Sequence, residues 1–274
     1  MTEYADWMQR SITRQDVVSD RLIGQMQATL PDHLSPGPVP LGLFWTLAPD
    51  ALTSDRLGRD GHPRQGIFLP ELPLPRRMWA GGEIRFHGDL TPGDVVTKTS
   101  RIASIVPKSG STGDLIFVTI QHDYAVGGQS VIDERQDLVY RADPAPGQAN
   151  PAYPPAPGLG PALASRALHS DPVLLFRFSA LTFNGHRIHY DADYARQTEG
   201  YGGLVVHGPL QAMVMLNMAA QLLGRTPSRF AYRGLSALIA GEAAMIEAHA
   251  QGSDLALRVV KPGGLVTMSA TAYA

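Results

Sequence analysis

The chain has 274 residues, is 44% hydrophobic and 18% charged, and carries a formal net charge of −2. That composition suits an ordinary globular protein of one large domain or two middling ones, and its balanced charge gives no broad basic surface for nucleic acid. Cysteine is absent, which excludes disulfides, thiolate metal sites and a cysteine nucleophile.

The N-terminal residues Met1 to Asp6 are polar and partly acidic, without the basic and apolar regions of a signal peptide. No run approaches the roughly 18 apolar residues of a membrane span. No membrane partner is expected, and the cytoplasm is the default compartment. A helical pattern follows over Gln15 to Leu30, in which Val17, Leu22, Ile23, Met26 and Leu30 recur at helical spacing, with Thr13 or Asp16 as candidate caps. A Pro-rich loop region covers Pro49 to Pro75. Strand-like runs come next, at Met78 to Phe86, Val95 to Val106, Leu115 to Tyr124 and Val131 to Tyr140, bounded by Pro-Gly, Ser-Gly and Gly-Gly turn signals.

Seven prolines between Pro144 and Pro161 mark a stiff, extended connector. The expected organisation is an N-terminal unit over 1–143, a Pro-rich linker over 144–162 and a C-terminal unit over 163–274. The second unit repeats the plan of the first. Val173 to Ala180 reads as a strand, Asp193 to Glu199 as a short helix and Pro209 to Leu223 as a long one. Strands are expected around Arg229 to Leu238, Ala243 to Ala250, Leu255 to Val260 and Leu265 to Tyr273. The Pro209 helix is apolar nearly all round, which predicts burial. Its methionines read as core filler, with a flexible acyl-chain lining as the other reading. Runs of strands after one long apolar helix indicate an α+β layout, an antiparallel sheet around a buried helix.

The chemistry concentrates in residues 181–191, Leu-Thr-Phe-Asn-Gly-His-Arg-Ile-His-Tyr-Asp, followed by Val205-Val206-His207-Gly208-Pro209. An amide, imidazoles and a helix N-terminus are the parts needed to hold a water and polarise a carbonyl. These two runs resemble the MaoC-like hydratase/dehydratase branch of the hot-dog fold. The nearer likeness is to its double-hot-dog group, which includes mesaconyl-C4-CoA hydratases and fungal mitochondrial hydroxyacyl-thioester dehydratases. Arg76-Arg77-Met78-Trp79-Ala80-Gly81-Gly82 and Asp137-Leu138-Val139-Tyr140 extend the likeness to the first half. The resemblance implies a double hot-dog, two antiparallel sheets each wrapped around a long central helix. In the wider family an Asp and a His five residues apart flank the water, and the Gly of a His-Gly pair forms the oxyanion hole. Carried over, the His is His189 and the Gly is Gly208. The Asp position is Asn184, a departure that the double-hot-dog group shares.

The implied activity is reversible hydration of a short branched enoyl-CoA, giving a 3-hydroxyacyl-CoA such as citramalyl-CoA. On this reading His189 is the base, Asn184 orients the water and the Gly208 N–H faces the thioester oxygen. Each residue has a plainer alternative: a structural histidine at 189, a turn or cap at 184, tight helix–strand packing at 208. His186 and His189 could hint at a metal, but no ligand spacing supports one, so no metal is expected. Arg187, His207 and Arg233 are candidate substrate-binding residues. His207 and Asp191 could instead orient the loop or His189. Arg76 and Arg77 are further candidates, because a C4 diacid thioester needs a cation for its free carboxylate. No cofactor is implied beyond CoA as part of the substrate, and a homo-oligomer is expected. The rival functions are a (3R)-hydroxyacyl-thioester dehydratase of fatty acid synthesis, an acyl-CoA thioesterase and an acyl-CoA-binding protein.

Overall fold

The computed structural model describes residues 4–110, 113–145 and 158–274. Most of the expected Pro-rich linker, 146–157, lies outside the described residues. Strand β1 (Ser11–Val17) precedes helix α1 (Asp20–Thr29), and after a long loop come β2 (Arg76–Phe86), β3 (Val95–Gly110), β4 (Gly113–Val126) and β5 (Gln129–Arg141). The second half contains β6 (Ala164–Ala167), α2 (Pro172–Thr182), α3 (Ala192–Gln197), α4 (Gly208–Leu223), β7 (Arg229–Gly234), β8 (Met245–Gln251), β9 (Asp254–Val260) and β10 (Val266–Tyr273).

The expected pair of separate sheets is corrected to one ten-stranded antiparallel sheet, in the order β1-β3-β4-β5-β2-β7-β10-β9-β8-β6. The halves meet where β2 pairs β7, from Gly81 opposite Arg233 to Arg85 opposite Arg229. Gly81 and Gly82 lie inside β2, within the strand expected over Met78 to Phe86, next to a register shift between Trp79 and Gly81. A Cβ on Gly82 would stand 2.2 Å from the Arg135 carbonyl oxygen, and one on Gly81 would stand 2.6 Å from that of Tyr232. The glycine pair therefore lets the two half-sheets close into one.

Two local assignments also change. Residues 15–30 are not one helix. Ser11 to Val17 alternate in exposure and pair with β3, and the helix starts only at Asp20, where Ser19 Oγ accepts from the Leu22 N–H at 3.3 Å. Residues 173–180 are not a strand but the body of α2. Asp171 caps that helix, accepting from the Leu174 N–H at 2.7 Å, and Pro172 occupies its first turn. Among the described residues there is also no second long central helix: α1 has 10 residues against 16 in α4.

Helix α4 packs against β7 to β10 and is buried from Leu210 to Ala220. Its hydrophobic surroundings draw on both halves of the chain, with Met26, Phe44 and Ile84 joining Phe178, Met215 and Leu257 in one cluster. Asn217, fully buried, ties the helix to the loop before β2. Its Nδ2 donates to the Leu41 carbonyl at 2.9 Å, and its Oδ1 accepts from the Ser35 N–H at 2.9 Å. The buried amide is thus satisfied on both sides, as burial requires.

Candidate active site

Helix α2 ends at Phe183, which adopts a left-handed conformation (φ 51°), and the chain turns into the 184–191 loop. The Asn184 N–H donates to the Ser179 carbonyl at 2.8 Å, and Asn184 Oδ1 accepts from the His186 N–H at 3.0 Å. The amide thus shapes its own turn and leaves Nδ2 as the group able to reach a water. A 3-10 turn over Arg187–His189 follows, and Asp191 caps α3 by accepting from the Tyr194 N–H at 2.9 Å.

His189 is buried, and its Nδ1 lies 2.7 Å from the Val205 carbonyl oxygen. A carbonyl can only accept, so Nδ1 carries the proton and Nε2 keeps its lone pair. The ring stacks on His207 with centroids 3.6 Å apart. His207 is fully buried behind it and meets Ser179 Oγ through Nε2 at 2.8 Å. Burial, then the neighbouring imidazoles of His207 and His186, hold His189 far below the ordinary histidine range. Burial likewise pushes His207 down to about 3. Both rings are neutral at neutral pH, so His189 is already a base.

The Val205 segment that fixes His189 leads straight into α4. His207 is the residue before that helix, and Gly208 and Pro209 form its first turn. The first N–H groups of a helix have no acceptor within it. Gly208 is also sterically required: a Cβ there would stand 2.4 Å from Trp79 Cε3. Trp79 is itself pinned, stacked on Tyr232 with centroids 4.5 Å apart and edge-on to Trp45.

A cavity of about 1050 Å³ is walled by Asn184, His189, Gly208 and Trp79, with Phe176, Phe183 and Tyr190 among its exposed residues. Three other candidates lie outside its walls. His207 stands behind His189. Arg187 is bound to Asp191 Oδ2 at 2.7 Å through Nη2, donates to the Arg59 carbonyl at 3.2 Å and sits over the Tyr194 ring. Arg233 is exposed on β7. Arg76 is buried, 3.5 Å from Glu199 Oε2, while Arg77 does line the cavity.

Several contributors carry no local sequence signal. The loop before β2 brings Asp60 and His62 to the 184–191 loop. The Arg187 N–H donates to the Asp60 carbonyl at 2.8 Å, and the His62 ring lies 4.2 Å from that of His186. A Cβ on Gly61 would fall 1.9 Å from the Gly185 carbonyl oxygen, so the two loops touch backbone to backbone. Glu199, after α3, lies 3.4 Å from His186 Nε2 and links it to Arg76. Asp60, His62 and His186 place ligand atoms within 4.8 Å of one another and could hold a cation. Asp60 Oδ2 and His62 Nδ1 meet instead in a 2.9 Å hydrogen bond.

The chain is similar to known proteins across these residues. The model of the hydroxyacyl-thioester dehydratase type 2 family matches residues 43–240. A mesaconyl-C(4)-CoA hydratase of Chloroflexus aurantiacus is 40% identical over 97% of both chains. Among solved structures, HtdX of Mycobacterium tuberculosis superposes with a TM-score of 0.72 at 16% identity, covering 97% of this chain and 100% of its own. A second M. tuberculosis protein, described as a double hotdog fold, gives 0.55 at 15% identity over 96% and 94%. The fold is thus α+β hot-dog, and both the family match and the near full-length relative reach across the site just described. The chain belongs to the hydroxyacyl-thioester dehydratase type 2 family.

Proposed function

We propose that this chain reversibly adds water across the Cα–Cβ double bond of a short branched enoyl-CoA of the mesaconyl-C4 type. The product is a 3-hydroxyacyl-CoA such as citramalyl-CoA. The observation that carries the chemistry is the locked tautomer of His189. Its Nδ1 is tied to Val205, so a neutral Nε2 is left for a cavity that the first turn of α4 also walls. The near full-length similarity to a mesaconyl-C(4)-CoA hydratase supports the substrate class.

In the forward direction His189 Nε2 takes a proton from water as the oxygen bonds to Cβ. The π electrons move through Cα to the thioester oxygen, and the N–H of Gly208 stabilises the enolate, helped by the positive end of α4. The imidazolium of His189 then returns its proton to Cα, which restores the carbonyl. Asn184 orients the water through Nδ2 and moves no proton. His207 buttresses the base from behind. CoA enters only as part of the substrate. On this reading the two halves act as a double hot-dog: residues 1–143 supply acyl and pantetheine space, 144–162 connect, and 163–274 carry the chemistry.

The test follows absorbance at the enoyl-thioester band with mesaconyl-C4-CoA and crotonyl-CoA in parallel, with a thiol reagent in separate aliquots. Loss of absorbance without free thiol is expected, faster with mesaconyl-C4-CoA. Thiol release would replace the hydratase with a thioesterase.

A further inference from the structure

The inner face of the N-terminal half-sheet is polar where it meets the cavity. Arg77, Lys98, His122, Glu134 and Gln136 line this part of the wall. Among the described residues no long helix covers the face, since α1 has only 10 residues. An apolar acyl chain gives no reason to place cations here, since burying a charge is costly unless it is paired. The anions nearby are largely engaged. Asp50 pairs with Arg14 at 2.7 Å, and Glu134 accepts from Trp45 Nε1 at 2.8 Å and Tyr124 Oη at 3.1 Å. Glu134 offsets Lys98, whose ammonium lies over the Tyr124 ring at 5.2 Å. The Arg77 guanidinium has no side-chain hydrogen bond or ion pair among the described residues.

Arg77 is also close to the chemistry. After burial, its charge is the largest influence lowering His62, and His62 packs on His186 beside His189. In a mesaconyl-C4 thioester the free carboxylate is bonded to Cβ, the carbon that receives water. The cation that reads it must therefore stand near the catalytic loop, as Arg77 does. The geometry points to Arg77, backed by the charge of Lys98, as the subsite for the free carboxylate of a C4-dicarboxylic acyl thioester. This rests on the hydratase reading for the site and adds the residue that sets its specificity. A guanidinium fork suits a carboxylate through paired N–H donors.

The test measures binding of saturated thioesters, which cannot be hydrated, so it is independent of turnover. Succinyl-CoA carries its carboxylate on the same carbon, and butyryl-CoA carries a methyl group there. By calorimetry the wild-type chain is expected to bind succinyl-CoA about 10- to 100-fold more tightly. Arg77→Gln should abolish that preference and Lys98→Met should reduce it, with butyryl-CoA affinity within about threefold of wild type. Equal wild-type affinity for the two thioesters would overturn the proposal without any variant. So would a preference that survives in Arg77→Gln. A parallel loss for both thioesters would also overturn it, since Arg77 would then serve the CoA phosphates or the fold. Failure of hydration with the succinyl preference intact would count against the reaction and not against the subsite.

Discussion

Gly208→Ala separates two demands that meet at one atom. The added methyl would stand 2.4 Å from Trp79 Cε3 and 3.0 Å from Cζ3, whereas carbon atoms in contact prefer roughly 3.5–4.0 Å. Something must therefore move by more than about 1 Å. The indole is poorly placed to yield, because it is stacked on Tyr232 and packed edge-on against Trp45. Overpacking of this kind costs about 1–3 kcal/mol. In a chain of this size that is a fall in Tm of roughly 2–10 °C. The alternative is a shift of the first turn of α4, which on the proposed mechanism would swing the oxyanion donor off its target. Loss of one such donor typically costs about 10²- to 10³-fold in kcat. The assays are thermal unfolding and steady-state hydration of mesaconyl-C4-CoA. We expect both to fall, with KM little changed. The double variant Gly208→Ala with Trp79→Ala should recover less stability than relief of the clash alone would give, because Trp79 itself is lost from the packing. Full kcat in a Gly208→Ala variant whose Tm has dropped would refute the oxyanion role and leave only the packing role.

His189→Ala should lower kcat by about 10²- to 10⁴-fold with the fold retained. Because His189 is held below the ordinary range, the acid limb of kcat/KM in the wild-type chain should lie below about pH 6.5. A limb at or above that value would contradict the buried, neutral imidazole. His122, His189 and His207 are all lowered, chiefly by burial, so the unfolded chain binds protons that the folded chain refuses. Stability is then fully present above about pH 6.5 and is lost as pH falls towards the folded values, at about 1.4 kcal/mol per group per pH unit. Glu134, raised by burial, opposes this with the weight of one group. The denaturant midpoint should drop steeply between about pH 6 and about pH 4; an unchanged midpoint would mean that these rings take protons in the folded state. Gly61→Ala, in a left-handed conformation and against Gly185, should push the two loops apart. It should reduce kcat more than it weakens substrate binding, and an unaltered kcat would show that the 58–63 loop does not position the catalytic one.

What the sequence could say about this site depended on how local each contribution was. Asn184 and His189 share one loop, and Gly208 announces itself beside Pro209 at a helix start, so their types and spacing were readable. The hydrogen bond from His189 to Val205 O follows almost directly, since Val205 lies three residues before that helix. The wrong strand at 173–180 came from a short apolar run, which periodicity alone cannot assign, and Asp171-Pro172 was the capping signal that decides it. The helix read over 15–30 fused two elements because the alternation of Ser11 to Val17 is mostly polar, and of its inward residues Ile12, Arg14 and Asp16 only Ile12 is apolar. The remaining part was not local at all. Arg187 was a candidate cation from its position in the motif, yet it is bound to Asp191 and Arg59, while the Arg77 guanidinium, more than a hundred residues earlier in the chain, lines the cavity with no ion pair among the described residues. The difference is set by the joining of β2 to β7 through Gly81 and Gly82, which brings the two half-sheets together. Gly81 and Gly82 are thus the contact surface between the half that holds His189 and the half that holds Arg77 and Lys98, so on the proposed reading substrate specificity depends on that junction.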